Sequence, residues 1–146
     1  MADKNYEGFS TEERAAMKDH AKELKKKATR NPAKAREDGT RDVLARIAEM
    51  GDADRELAQR IHEIVTTNAP ELVPRLWYGM VAYSREGKVL CHFQDSAKFK
   101  TRYATFTFAD NASLDDGDLW PVSFAITSMT PKTEATLATL VTKATA

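Results

Sequence analysis

Leu76-Trp77-Tyr78-Gly79-Met80-Val81-Ala82-Tyr83 sets three aromatic side chains around a glycine in eight uncharged residues, directly after the Pro70/Pro74 pair. The prolines break the helical recurrence that precedes them, and the run beyond alternates instead of repeating at three and four. It reads as a strand from Leu76 to Ser84, with Glu86-Gly87 as a hairpin turn and Lys88 to Gln94 as the returning strand. Alternation along it puts Trp77, Gly79, Val81 and Tyr83 on one face and Leu76, Tyr78, Met80 and Ala82 on the other. A strand apolar on both sides is expected to be central and covered.

Downstream, two further strands are predicted: Arg102 to Phe108, with Ala104, Phe106 and Phe108 on one face, and Val122 to Thr127, with Val122, Phe124 and Ile126 on one face. A polar loop, Asp110 to Gly117, separates them. Thr130-Pro131 pairs a cap with a proline at the first helical position, and Leu137, Leu140, Val141 and Ala144 form the stripe of a closing helix. Upstream, Ser10 and Glu13 make a capping box for a first helix, whose thin stripe of Met17, Ala21, Leu24 and Ala28 predicts docking at the domain's edge. Lys25, Lys26, Lys27, Arg30, Lys34 and Arg36 follow without an acid between them, interrupted by Asn31-Pro32, and this stretch reads as a mobile connector. Val43, Leu44, Ile47 and Met50 mark a second helix that Gly51 is placed to stop in a left-handed cap. Asp52 caps a third, with Leu57, Ile61, Ile64 and Val65 on its stripe. The expectation is an α+β fold: an antiparallel sheet of four or five strands with helices packed on one face, plus an N-terminal helical extension. Residues 1–40 read as a basic helical extension and connector, and 41–146 as a single domain.

The 146 residues carry 22 basic and 22 acidic side chains, so bulk charge argues against nucleic acid as the main partner and leaves only local patches to consider. Cys91 is the only cysteine, which rules out an internal disulfide and fits a reducing compartment. The charged N-terminus lacks the apolar core of a signal peptide, and no apolar run reaches the roughly 20 residues that span a bilayer. The expected setting is the cytoplasm, with no membrane partner and a monomer or small homo-oligomer.

From Asp52 onward the chain resembles the YdhG-like family, domains of unknown function whose best-known members are described as frataxin-like iron chaperones. The resemblance is carried by Ala69-Pro70, then Trp77-Tyr78-Gly79-Met80-Val81-Ala82-Tyr83, then Gly87-Lys88-Val89 and Phe93. The chain departs from the family pattern at Val81, where proline is usual. Lys98-Phe99-Lys100-Thr101-Arg102-Tyr103-Ala104-Thr105 and Leu114-Asp115-Asp116-Gly117 resemble a long-form subgroup with an added N-terminal helix. The resemblance implies an α+β fold and iron as the one cofactor to consider, with no short ligand motif that maps onto positions here.

Three constellations are candidates for chemistry. Trp77, Gly79, Tyr83 and His92 would line a ligand cleft, with Gly79 letting a ligand approach the backbone. His92 beside Tyr83 would be the one general base on offer, whereas Cys91 reads as core and His20 and His62 as helix-surface residues. Asp115, Asp116 and Asp118 in the acidic loop offer oxygen ligands to a hard cation such as iron, although the loop lacks the spacing of a calcium-binding hand. Lys98, Lys100 and Arg102 would share one face of an extended stretch and form an anion-binding patch. No serine elbow, phosphate loop or paired-histidine helix is present. The leading expectation is therefore a small non-enzymatic binding protein, for iron or a small ligand; the alternative is an interaction module for a phosphate-rich partner, nucleic acid or another anionic ligand, held on the basic strand face.

Overall fold

The computed structural model describes residues 8–28 and 31–146, with side chains described for 8–25 and 31–146. The elements run α1 (Thr11–Ala28), α2 (Pro32–Glu49), α3 (Asp52–Asn68), β1 (Val73–Trp77), β2 (Met80–Arg85), β3 (Lys88–Gln94), α4 (Ser96–Phe99), β4 (Ala104–Phe108), β5 (Ser123–Ile126) and α5 (Pro131–Ala144). The five strands form an antiparallel meander in the order β1-β2-β3-β4-β5, so the fold is α+β with a five-stranded sheet. No helix among the described residues is long and apolar enough to cross a membrane.

One face of the sheet carries the core. Tyr83, Cys91 and Phe108 lie opposite one another across β2, β3 and β4, and Val81, Phe93 and Phe106 form the adjacent row. They meet Val43 and Ile47 from α2, Leu57, Ile61 and Val65 from α3, and Leu137 and Val141 from α5 in one cluster. Completely burying a side chain of the size of Phe93 or Phe106 stabilises by roughly 1.5–3 kcal/mol, so this face holds most of the fold's apolar free energy. The period-two stripe of β4 and the three-four stripes of α3 and α5 are the ones the residue patterns predict. Leu114 and Ala112 of the polar loop also reach into this cluster.

Several expectations are corrected. The predicted strand from Leu76 to Ser84 is two strands, because Tyr78 and Gly79 form a two-residue hairpin turn between Trp77 and Met80. The connector does not extend through Arg36: Asn31 caps α2 by accepting the Lys34 amide at 2.8 Å, Pro32 takes the first helical position, and α2 then runs unbroken past residue 40. Asparagine followed by proline starts this helix, where it was expected only to end one. Arg30, and the side chains of Lys26 and Lys27, lie outside the described residues. Gly51 has a right-handed φ of −66° and sits at the N-cap of α3, not in a left-handed stop. β4 begins at Ala104, so the stretch of Lys98, Lys100 and Arg102 is not a strand. α2 lies so close along β1 that a β-carbon at Gly39 would fall 2.1 Å from the Pro74 carbonyl oxygen, which only glycine permits.

Candidate functional site

The Tyr78-Gly79 turn is where the functional geometry starts. Both residues have positive φ (52° and 75°), the pattern of a type I′ hairpin whose twist matches the flanking strands. Tyrosine is a poor occupant of that conformation, and the cost is offset from outside the hairpin. The Tyr78 and Gly79 amides donate to the two carboxylate oxygens of Glu23 on α1 at 2.7 and 3.0 Å. The His20 ring stacks on Tyr78, with centroids 3.8 Å apart and planes 9° apart. From the other side, Arg46 on α2 donates to the Gly79 carbonyl at 3.1 Å and to Asp95 at 2.8 Å.

α1 docks through a polar face. The Ser10 capping box forms as the pattern predicts, with reciprocal bonds to Glu13 at 3.1 Å. Glu12, Ala16, Asp19 and Glu23 recur four, three and four apart and point at the sheet's hairpin and at α4; Ala16 is buried, whereas Leu24 of the predicted apolar stripe is about half exposed. Asp19 pairs with Lys98 and Glu12 with Lys100, each at 2.7 Å. Their mutual hydrogen bond lowers the Glu12 carboxyl and raises the Lys100 ammonium from their ordinary values. Two of the three residues expected to bind an anionic partner thus hold α1 in place, and the third, Arg102, lies over the Tyr103 ring at 4.9 Å. Lys98 sits in a single helical turn and Lys100 in a left-handed position after it, so the three do not share a strand face.

The residues expected to line one cleft are separated by the new turn. Tyr83 is fully buried on the core face, where its hydroxyl meets Nδ1 of His62 at 2.8 Å. Burial raises the Tyr83 hydroxyl well above its usual range and, against a weaker opposing effect of Glu63, lowers His62, so the phenol donates and the neutral imidazole accepts. Cys91 is fully buried as expected, its thiol pushed up by burial. Trp77 and His92 point to the opposite face, with ring centroids 5.0 Å apart. His92 and Tyr83 therefore do not share a pocket, and the base-and-phenol pairing does not form. His20 and His62 are both half-buried and structurally engaged, not free surface residues.

Two adjoining cavities open around α1. The larger, about 750 Å³, lies between α1, α2 and β1, with Ala35, Gly39, Val73, Pro74 and Leu76 in its apolar wall and Gly79 at one end. The smaller, about 450 Å³, lies on the sheet face opposite the core between Trp77, His92, Thr107 and the His20 and Leu24 side of α1. Arg75 and Gly87 line both. Burial pushes the His92 imidazole down to about 4, so it is uncharged at neutral pH. Pattern reasoning missed Arg75, Glu23 and Arg46; no local motif marks them, and only the hairpin turn brings them to the site.

Asp115, Asp116 and Asp118 are exposed, and among the described residues no three His, Cys, Asp or Glu side chains converge on a shared metal position. Compared with protein-family models, with curated proteins and with solved structures, the chain matches none.

Proposed function

We propose that the protein is a small, non-enzymatic, cytoplasmic binding protein of the YdhG-like kind, which holds a compact and largely apolar molecule between α1, α2 and β1. The observation that carries the reading is the 750 Å³ cavity at that junction, a volume within the range of small-ligand sites. Several of its charges are engaged by the protein: Asp19 pairs with Lys98, Glu23 holds the turn amides, and Arg46 bonds Gly79 and Asp95. The apolar wall of Ala35, Val73, Pro74 and Leu76 is the surface that a neutral ligand would cover. The resemblance of the Trp77 to Tyr83 run supports the family assignment, and the lone buried Cys91 fits a reducing compartment.

The neutral fluorophore phenylnaphthylamine tests this directly. Its fluorescence should rise on mixing with the protein, and Ala35→Trp, which fills the cavity from a half-exposed helix position, should abolish the rise while leaving the melting temperature intact. No rise, or one indifferent to Ala35→Trp, overturns the reading. Iron handling rests on the resemblance alone; a ferrous titration whose heat disappears when Asp115, Asp116 and Asp118 are replaced by asparagine would establish the acidic loop as its site.

A further inference from the structure

The smaller groove has a chemistry of its own, set by the strand register. Arg75 faces Ala82, Ala82 faces His92, His92 faces Thr107 and Thr107 faces Ser123, so one row crosses all five strands on the face away from the core. Ala82 is the small member of that row and is fully buried, so its neighbours close over it, while Arg75 and His92 both reach the groove. Along the strand from Arg75, the Trp77 indole leans on His92 and packs edge-on against Tyr78 at 4.8 Å, and Tyr78 carries the stacked His20 of α1. The groove thus has a wall of aromatic rings at one end and a guanidinium at the other.

Its charge is one-sided. Arg75 and Lys88 line it and, among the described residues, no Asp or Glu does, in a chain whose formal net charge is zero. Arg75 is half-buried, and the only hydrogen bond its side chain makes among the described residues is from Nε to the Leu76 carbonyl at 3.3 Å, which leaves both terminal nitrogens of the fork for a ligand. A guanidinium fork matches a carboxylate bidentately, and an indole face prefers a flat ring. The centroid separation of 5.0 Å between Trp77 and His92 is too short for a ring to slide between them, so a ligand ring lies against the pair. At about 450 Å³ the groove admits a molecule of one or two fused rings.

We propose that this groove is a second binding site, independent of the occupant of the larger cavity, and that it takes a flat aromatic or heteroaromatic carboxylate, with the ring on Trp77 and His92 and the carboxylate on Arg75. His92 presents an uncharged ring edge to such a ligand, and Thr107 offers a hydroxyl already shared with Ser123 at 2.7 Å.

Naphthoate and its uncharged analogue naphthamide separate ring from charge. Titrated calorimetrically into the wild-type protein, naphthoate should bind about tenfold or more tightly than naphthamide, the loss expected for one charge-assisted pairing. Arg75→Met should erase that preference, Trp77→Leu should weaken both ligands, and Ala35→Trp should leave naphthoate binding unchanged. Equal affinities for the two ligands, no naphthoate binding, or a preference that survives Arg75→Met overturns the proposal. The wild-type comparison decides it even where a variant does not fold. Because phenylnaphthylamine and Ala35→Trp report on the larger cavity, failure there and failure here are read separately.

Discussion

The two faces of the sheet are built by different physics. The face under α2, α3 and α5 is a closed apolar layer in which Val81, Tyr83, Cys91 and Phe93 are fully buried. The opposite face, beneath α1, carries Arg75, Trp77, His92 and Thr107, and its cover is held by carboxylates, amides and a stacked ring pair. Apolar burial involves no charge to screen or titrate, whereas ion pairs and carboxylate-amide bonds weaken with ionic strength and with protonation of the carboxylate. The first face therefore sets stability. The second has a cover held by polar contacts, and Glu23→Ala tests whether that cover opens apart from the core.

The contrast is testable in descending order of effect. Phe93→Ala, in the closed layer, should cost about 3–5 kcal/mol in urea unfolding, by lost transfer energy and a residual cavity. Trp77→Ala, which keeps part of its ring in solvent, should cost clearly less despite removing more atoms; equal losses would mean that the second face is core as well.

A pH series gives the next effect. His92 has its folded-state value pushed down to about 4, below its unfolded value of about 6.5, so its contribution is fully present above about pH 6.5. That contribution falls as the pH drops towards 4 and is flat below. The loss should be on the order of 3 kcal/mol at most. His92→Gln should flatten this part of the stability profile; an unchanged slope would show that another group titrates there.

Glu23→Ala removes the partner of two amides and should release α1 at a cost of about 1–3 kcal/mol. Hydrogen exchange should show the loss in α1 and the Tyr78-Gly79 turn, while α3 amides stay protected. Protection lost equally in α3 would mean that α1 belongs to the same cooperative unit as the core. Smallest is Glu12→Gln, which cuts the exposed pair to Lys100 and should raise exchange only in the first turns of α1, without moving the unfolding midpoint.

The two hairpin turns show why part of the molecule is legible in its residues and part is not. Glu86-Gly87 has φ values of 53° and 81° and sits exposed between Arg85 and Lys88, so its polar residue and glycine identify it locally. Tyr78-Gly79 has nearly the same backbone, yet it carries an aromatic residue inside an apolar run and reads as mid-strand. Its stability comes from Glu23, 55 positions away from Tyr78, and from Arg46, 33 away from Gly79. A period-two pattern interrupted by a two-residue turn resumes with reversed direction, and this is why the expected cleft of Trp77 with Tyr83 divides into one ring on each face. The pairing of Lys98 and Lys100 is hidden for a related reason: their spacing says nothing about Asp19 and Glu12, which neutralise them from a distant helix.

Composition and periodicity alone determined the α+β class, the helical stripes of α3 and α5, the capping of α1 and α5, and the inward face of β4, because each depends on neighbours within a few residues. Tertiary structure alone decided where the chain reverses at Tyr78-Gly79, that Lys98 and Lys100 pair with α1, and that Arg75, Trp77 and His92 share a groove. Those outcomes depend on hydrogen bonds, ion pairs and strand register between residues far apart in the chain, and the energy that selects them appears only once α1, α2 and the sheet have met.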